Sequence, residues 1–364
     1  MKFVYSHWDD ELYERLKQLK DLMAIFNYLL VRMSGDVEET LRLMERLQKE
    51  GLIDQGFDLE EFKRHLQDRK MIQNSKAGLK LTSKGEQSIR RDAFELMFKK
   101  MKGHGKGQHL MPNEGGSSED WLPEKRAYNF GDNLQAIDYS CSLFNSIKRT
   151  NGLDLDLSEK DLEVFESERT TSCATVLMID ISHSMILYGE DRITPAKKVA
   201  MAFTELILTK YPKDDLSIVL FGDNAQEVKI KDLPYVSVGP FYTNTQAGLR
   251  LARQILMTRK HVNKQIFMIT DGKPSMIIRS NGQVYRNPAG LDPMIVNRTL
   301  DEAVVCRKKK ITITTFMVTD DSYLQTFVQR LTELNRGRAY FSSVDNLGNY
   351  VIWDFVSNRR KKAR

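Results

Sequence analysis

The stretch Thr175-Val-Leu-Met-Ile-Asp-Ile-Ser-His-Ser-Met185 decides the fold, because an apolar run leads straight into a carboxylate and two hydroxyls, Asp180, Ser182 and Ser184. A short apolar run without polar alternation fits a strand buried on both faces, the environment of a parallel sheet. The polar residues that end it then project at the carboxyl edge of that sheet. Two later segments supply matching pieces. Phe241-Tyr-Thr-Asn-Thr-Gln-Ala-Gly-Leu249 is a Thr-rich turn opening a helix, and Gln265-Ile-Phe-Met-Ile-Thr-Asp-Gly272 is a second apolar strand ending in Asp271.

Around these segments, apolar strands alternate with amphipathic helices. The pattern predicts strands at 174–180, 216–221, 265–270, 311–318 and 338–342, and helices at about 195–210, 245–257, 293–309 and 322–335. Pro195 after Thr194 and Pro293 after Asp292 suit the first turns of their helices. Such alternation predicts an α/β, doubly wound, mostly parallel sheet covered on both faces.

Upstream the pattern changes. Leu12, Leu16, Leu19, Met23 and Phe26 recur at helical spacing, Asp36 and Glu39 open a second helix, and Gly51 closes it. A third helix follows Asp58, with Leu59, Phe62 and Leu66 on one face, and another runs from about Glu86 to Lys100. Residues 1–100 therefore read as a mostly helical N-terminal module, in which Leu81-Thr-Ser-Lys-Gly85 resembles the wing and entry turn of a winged helix. Residues 101–120, with Lys102-Gly-His-Gly-Lys-Gly-Gln-His109, have the composition of a flexible linker. Residues 121–169 form a connector with a helix after Asp132, placing Ile137, Cys141, Phe144 and Ile147 inward, and with a period-two stretch at Leu153–Leu157. The second domain then spans 170–356, and 357–364 is a basic tail.

Composition narrows the function. With 364 residues, 41% of them hydrophobic, the chain has room for two domains with proper cores. No apolar run is long enough to span a bilayer and the first ten residues turn charged too early for a signal peptide, so the expected location is cytoplasmic. Cys141, Cys173 and Cys306 are too few and too far apart for a disulfide framework or a zinc site. The net charge of +6 is concentrated partly in Arg359-Arg-Lys-Lys-Ala-Arg364, yet no N-terminal helix carries a base-reading face of Arg, Asn and Gln. Nucleic-acid contact through the module and the tail is kept as the alternative function.

At the strand ends, two acids at one edge would repel unless a cation lay between them. Hydroxyls close to the ion and carboxylates acting through water suit Mg²⁺, with Mn²⁺ or Ca²⁺ as alternatives. Catalysis is not expected: His183 neighbours the serines on an extended turn and points away from them, and no nucleophile elbow occurs. A phosphotransferase would need a second acid where Ser182 stands.

Asp180, Ser182 and Ser184, then Thr243, then Asp271, resemble the metal-ion-dependent adhesion site of the von Willebrand factor A (VWA) family. The resemblance covers residues 170–350. It implies a Rossmann-like domain in which the serines and the threonine are inner ligands, the aspartates act mostly through water, and a partner's Asp or Glu completes the metal shell. Thr245 is a substitute for Thr243, since Phe241-Tyr242 replaces the usual Gly-Gly. Tyr128-Asn-Phe-Gly-Asp132, Ile269-Thr-Asp-Gly-Lys-Pro-Ser275 and Leu334-Asn-Arg-Gly-Arg-Ala-Tyr340 are similar to bacterial CoxE-like or magnesium-chelatase D-subunit-like proteins. That likeness implies an AAA+ ATPase partner of the MoxR or chelatase type, which this chain does not encode. Lys273 is expected to influence the charge of an incoming acidic group, and the insertion from Met276 to Pro288, near the same edge, to shape partner choice.

Overall fold

A computed structural model describes residues 22–54, 56–75, 78–103, 121–128, 137–150, 157–167, 172–189, 191–279, 281–287, 290–318, 321–341 and 346–361. The chain forms two compact units, one of residues 1–108 with 172–355 and a smaller one of 109–171 with 356–364.

In the larger unit the N-terminal elements are α1 (Leu22–Arg32), α2 (Val37–Lys49), α3 (Leu59–Asp68), an antiparallel pair β1 (Ile72–Ser75) and β2 (Gly78–Leu81), and α4 (Ser83–Gly103). Asp36 and Asp58 cap α2 and α3 by accepting from backbone N–H groups in the first turn, and Gly51 follows α2 at φ +77°. The long helix begins at Ser83, three residues before the expected start, because the Thr82 hydroxyl accepts from the Gly85 N–H and opens it. The expected linker therefore starts later than 101, since α4 runs to Gly103; residues 104–120 and the helical face at Leu12, Leu16 and Leu19 lie outside the described residues.

The smaller unit contains β3 (Trp121–Ala127), α5 (Tyr139–Thr150) and β4 (Glu163–Ser167), with β3 and β4 antiparallel. The helix expected after Asp132 is present and Ile137 before it is buried, but its packed face is not the one expected. It starts at Tyr139 under an Asp138 cap, it buries Ser142 and Ser146, and it leaves Phe144 67% exposed. The reason is local: the Ser142 hydroxyl bonds the backbone of Asp138 and of Glu163, so the small polar face packs close to β4.

The second half of the larger unit contains β5 (Cys173–Asp180), a 3₁₀ segment (His183–Gly189), α6 (Ile193–Lys210), β6 (Asp215–Phe221), β7 (Ala225–Val228), a 3₁₀ turn (Ile230–Tyr235), α7 (Thr245–Thr258) and β8 (Asn263–Thr270). There follow β9 (Met276–Ile278), β10 (Val284–Arg286), α8 (Pro293–Lys308), β11 (Ile311–Met317), α9 (Ser322–Asn335), β12 (Arg338–Phe341) and α10 (Leu347–Lys361). Among the described residues six strands form one sheet in the order β12-β11-β8-β5-β6-β7, parallel except for β7. This is the doubly wound α/β domain expected, with central β5 buried at every position and helices on both faces.

Three details depart from the sequence reading. Helix α6 begins at Ile193, so Pro195 is its third residue. Strand β7 was not foreseen, because Ala225-Gln-Glu-Val228 is short and half exposed. Nor was α10, which continues into the segment read as a basic tail.

The N-terminal module packs against α6 and the 3₁₀ turn after β7. Arg90 pairs with Glu205 at 3.5 Å, both largely buried, and Lys198 lies 3.6 Å above the Tyr28 ring. Fully buried Lys197 donates to the carbonyls of Val31 at 2.5 Å and Val236 at 2.8 Å, and the Ser34 hydroxyl donates to the same Val236 carbonyl. Gly35 sits at φ +79° with Tyr235 where a Cβ would be, and the Tyr235 hydroxyl donates to Glu86. Among the described residues no helix is long and apolar enough to cross a membrane.

Candidate metal centre

Two of the segments singled out in the sequence, residues 175–185 and 265–272, end at neighbouring positions on the carboxyl edge, because β5 and β8 are adjacent parallel strands. Asp180 closes β5. Its carboxylate is completely buried, accepting from the Ser182 N–H at 2.9 Å and from the Thr270 hydroxyl at 2.7 Å. The first bond is an Asx turn that reverses the chain and brings the next two hydroxyls together, so that Ser182 Oγ and Ser184 Oγ are 3.1 Å apart. Ser184 in turn hydrogen-bonds the Asp271 side chain. Asp180, Ser182, Ser184 and Asp271 therefore form one connected cluster of oxygens.

Thr243 lies on a separate segment, the loop that opens α7. The turn after β5 is tied to the loop before α7 by the His183 N–H, which donates to the Phe241 carbonyl at 3.0 Å, two residues before Thr243. Thr243 is buried, and its backbone is held on both sides by Ser275: its N–H donates to the Ser275 hydroxyl, and its carbonyl accepts from the Ser275 and Met276 N–H groups. Thr245, the substitute considered from sequence, is the first residue of α7 and is also buried. The loop turns here because Asn244 caps α7 by accepting from Ala247 N–H, while the Tyr242 N–H donates to Asp223 at 2.7 Å.

The electrostatics follow from burial. Desolvation and the nearby Asp271 charge push the Asp180 carboxyl well above the ordinary carboxylate range. Desolvation raises Asp271 as well, against hydrogen bonds from Ser184 and the Lys273 N–H and the positive charges of Arg192 and Lys273. Two buried acids beside paired hydroxyls are hard oxygen donors, and a divalent cation there would offset both charges. Among the described residues no group of three or more His, Cys, Asp or Glu side chains is placed to hold a metal, so the hydroxyls are needed to complete any shell. His183 is exposed beside the cluster.

Two contributors were missed in the sequence. Thr270 orients Asp180, and the signal was its place immediately before Asp271 at the end of the adjacent strand. Ser275 splints Thr243, and no local pattern announces it, since the two are 32 residues apart.

A family model described as "Rv0959-like protein, vWA domain" matches residues 173–356, and one described as "Rv0959-like protein, third domain" matches residues 120–167. The uncharacterized proteins Rv0959 of Mycobacterium tuberculosis and Mb0984 of Mycobacterium bovis are each 26% identical to this chain over 350 residues, covering 94% of it and 48% of their own length. The chain thus spans about half the length of the curated relatives it matches. Among solved structures, the vWF domain of the type V pili tip protein Mfa5 from Porphyromonas gingivalis aligns at 14% identity and a TM-score of 0.42, covering 52% of this chain and 96% of that one. The PilB minor pilin from Streptococcus sanguinis aligns at 15% identity and a TM-score of 0.43, covering 55% and 65%.

Proposed function

Because the chain belongs to the Rv0959-like family and carries its vWA domain, a fold that serves protein interaction, we propose that it is a metal-dependent binding protein. In this reading Ser182, Ser184 and Thr243 hold Mg²⁺ directly, with Mn²⁺ or Ca²⁺ as substitutes, and Asp180 and Asp271 hold it through water. A carboxylate from a partner protein completes the shell. One observation carries the reading: two buried acids from different strand ends share a single cluster at the sheet edge with two hydroxyls of the turn after β5.

The donor set favours binding over chemistry. In this reading the serine hydroxyls, bonded to each other and, through Ser184, to the Asp271 side chain, serve as metal ligands. Three neutral inner ligands leave the ion electrophilic toward an incoming anion, which suits reversible capture of an Asp or Glu. An AAA+ ATPase of the MoxR or chelatase type is the partner we propose, with this chain as its adaptor; the CoxE-like sequence features support it.

The test is a pair of melting curves with and without Mg²⁺. The wild type gains thermal stability with the metal, by about 2.7 kcal/mol at a hundredfold excess over the dissociation constant. Asp180→Ala loses that gain, and an equal Mg²⁺ response in the variant refutes the assignment.

A further inference from the structure

The insertion after Asp271 is an antiparallel hairpin, β9–β10, whose base is bonded to the proposed ligand turn. The Thr243 carbonyl accepts from the Ser275 and Met276 N–H groups, and the Asn287 N–H donates to the Ser275 carbonyl. One face of the hairpin is used for attachment. Ile277 is buried there, and the Tyr285 hydroxyl donates to Asp292, the cap of α8.

The other face is open. Cross-strand register places Arg286 opposite Met276 and Val284 opposite Ile278, so these four residues share one side. Met276 is buried at the base, whereas Ile278 is 40% exposed, Val284 50%, and the Arg286 side chain 46%. Arg286 stacks 4.9 Å from the ring of Tyr242, the residue before Thr243, and pairs with Asp223 at 3.4 Å. A guanidinium has five donors, so this pairing leaves others for a second carboxylate. The strip therefore runs from the metal site through a cation to an apolar pair.

Resting on the metal-docking reading above, we infer that this face binds an extended acidic segment of the partner, one carboxylate going to the metal, a second to Arg286, and an apolar side chain to Ile278 and Val284. Same-face residues in a strand are about 7 Å apart, the spacing of alternate residues in an extended peptide, so the step from Arg286 to Val284 matches an acid followed two positions later by an apolar residue. Lys273 adds positive charge beside Asp271, so the rim favours acids over bases.

The experiment pans a random linear-peptide phage library against the full chain in Mg²⁺ and in EDTA, using wild type, Arg286→Glu and the double variant Ile278→Ser with Val284→Ser. Calorimetric Mg²⁺ titration of all three runs alongside. Wild type should enrich, only in Mg²⁺, peptides with paired acids and an apolar residue close by. Arg286→Glu should weaken the best of them by on the order of fivefold and lose selection for the second acid, the scale of an exposed ion pair. The double variant should lose the apolar preference, and both should bind Mg²⁺ as wild type does. Mg²⁺ binding with no enrichment, with lone acids in random flanks, or with the same consensus in every variant overturns the hairpin inference alone. Failure of the wild type to bind Mg²⁺ overturns the metal reading and this inference with it.

Discussion

A lysine at the centre of the larger unit shows what burial costs a single residue. Lys197 donates to two carbonyls, and desolvation brings its ammonium from an ordinary value of 10.5 down to about 7 against the pull of Asp191. Between those values the unfolded chain holds a proton that the folded chain has released, so stability rises with pH through that window. Urea unfolding at pH 7 and pH 9.5 should show this rise, on the order of a few kcal/mol. Lys197→Met should flatten it, while Ser34 continues to serve both carbonyls through its N–H and its hydroxyl. An unchanged slope in the variant would rule Lys197 out as its source. No sequence pattern marks this lysine, since it sits among the apolar positions of α6 and is read most simply as a solvated charge. Asp180, Ser182 and Ser184 were legible because a local turn joins them. Thr270 and Ser275 were not, because their partners arrive from distant segments.

At the scale of elements, the strands of the parallel sheet were read to within two residues, since burial on both faces leaves an uninterrupted apolar run. Helix α5 was misread because its packed face is serine, chosen for close approach and not for hydrophobicity. Helix α10 was not read although Leu347, Val351, Ile352 and Phe355 give it a buried apolar face, and a polar attachment adds to that face. Buried Asp354 accepts from Arg338 Nη2 at 2.7 Å, from Arg338 Nε, and from the Tyr340 hydroxyl at 2.7 Å, all on β12. Replacing Asp354 with Ala strands the Arg338 guanidinium against the sheet and should cost about 3–5 kcal/mol. Limited proteolysis should then cut within α10 at a rate well above wild type, and equal resistance would mean that apolar contacts such as Phe355 against Phe203 and Phe267 hold the helix alone.

For the molecule as a whole, the N-terminal module and the α/β domain share one interior. Helix α6 is buried along nearly its entire length, with the sheet on one side and α1 and α4 on the other. Deleting residues 1–108 should therefore lower the melting temperature sharply and open Lys197 to amine-acylating reagents that leave it unmodified in the full chain. A fragment that melts with the full chain would show the module to be an independent body. Sequence could separate the two patterns, helical and alternating, but it could not show that they close over a common lysine. The oxygen cluster has a comparable long-range origin. Thr270 meets Asp180 across 90 residues of chain, so the cluster cannot exist until β5 and β8 are paired in register. Pairings of that separation form late in folding. An ion held there would consequently act as a lock on the finished fold and not as its nucleus: it should slow unfolding in stopped-flow experiments while leaving the refolding rate almost unchanged.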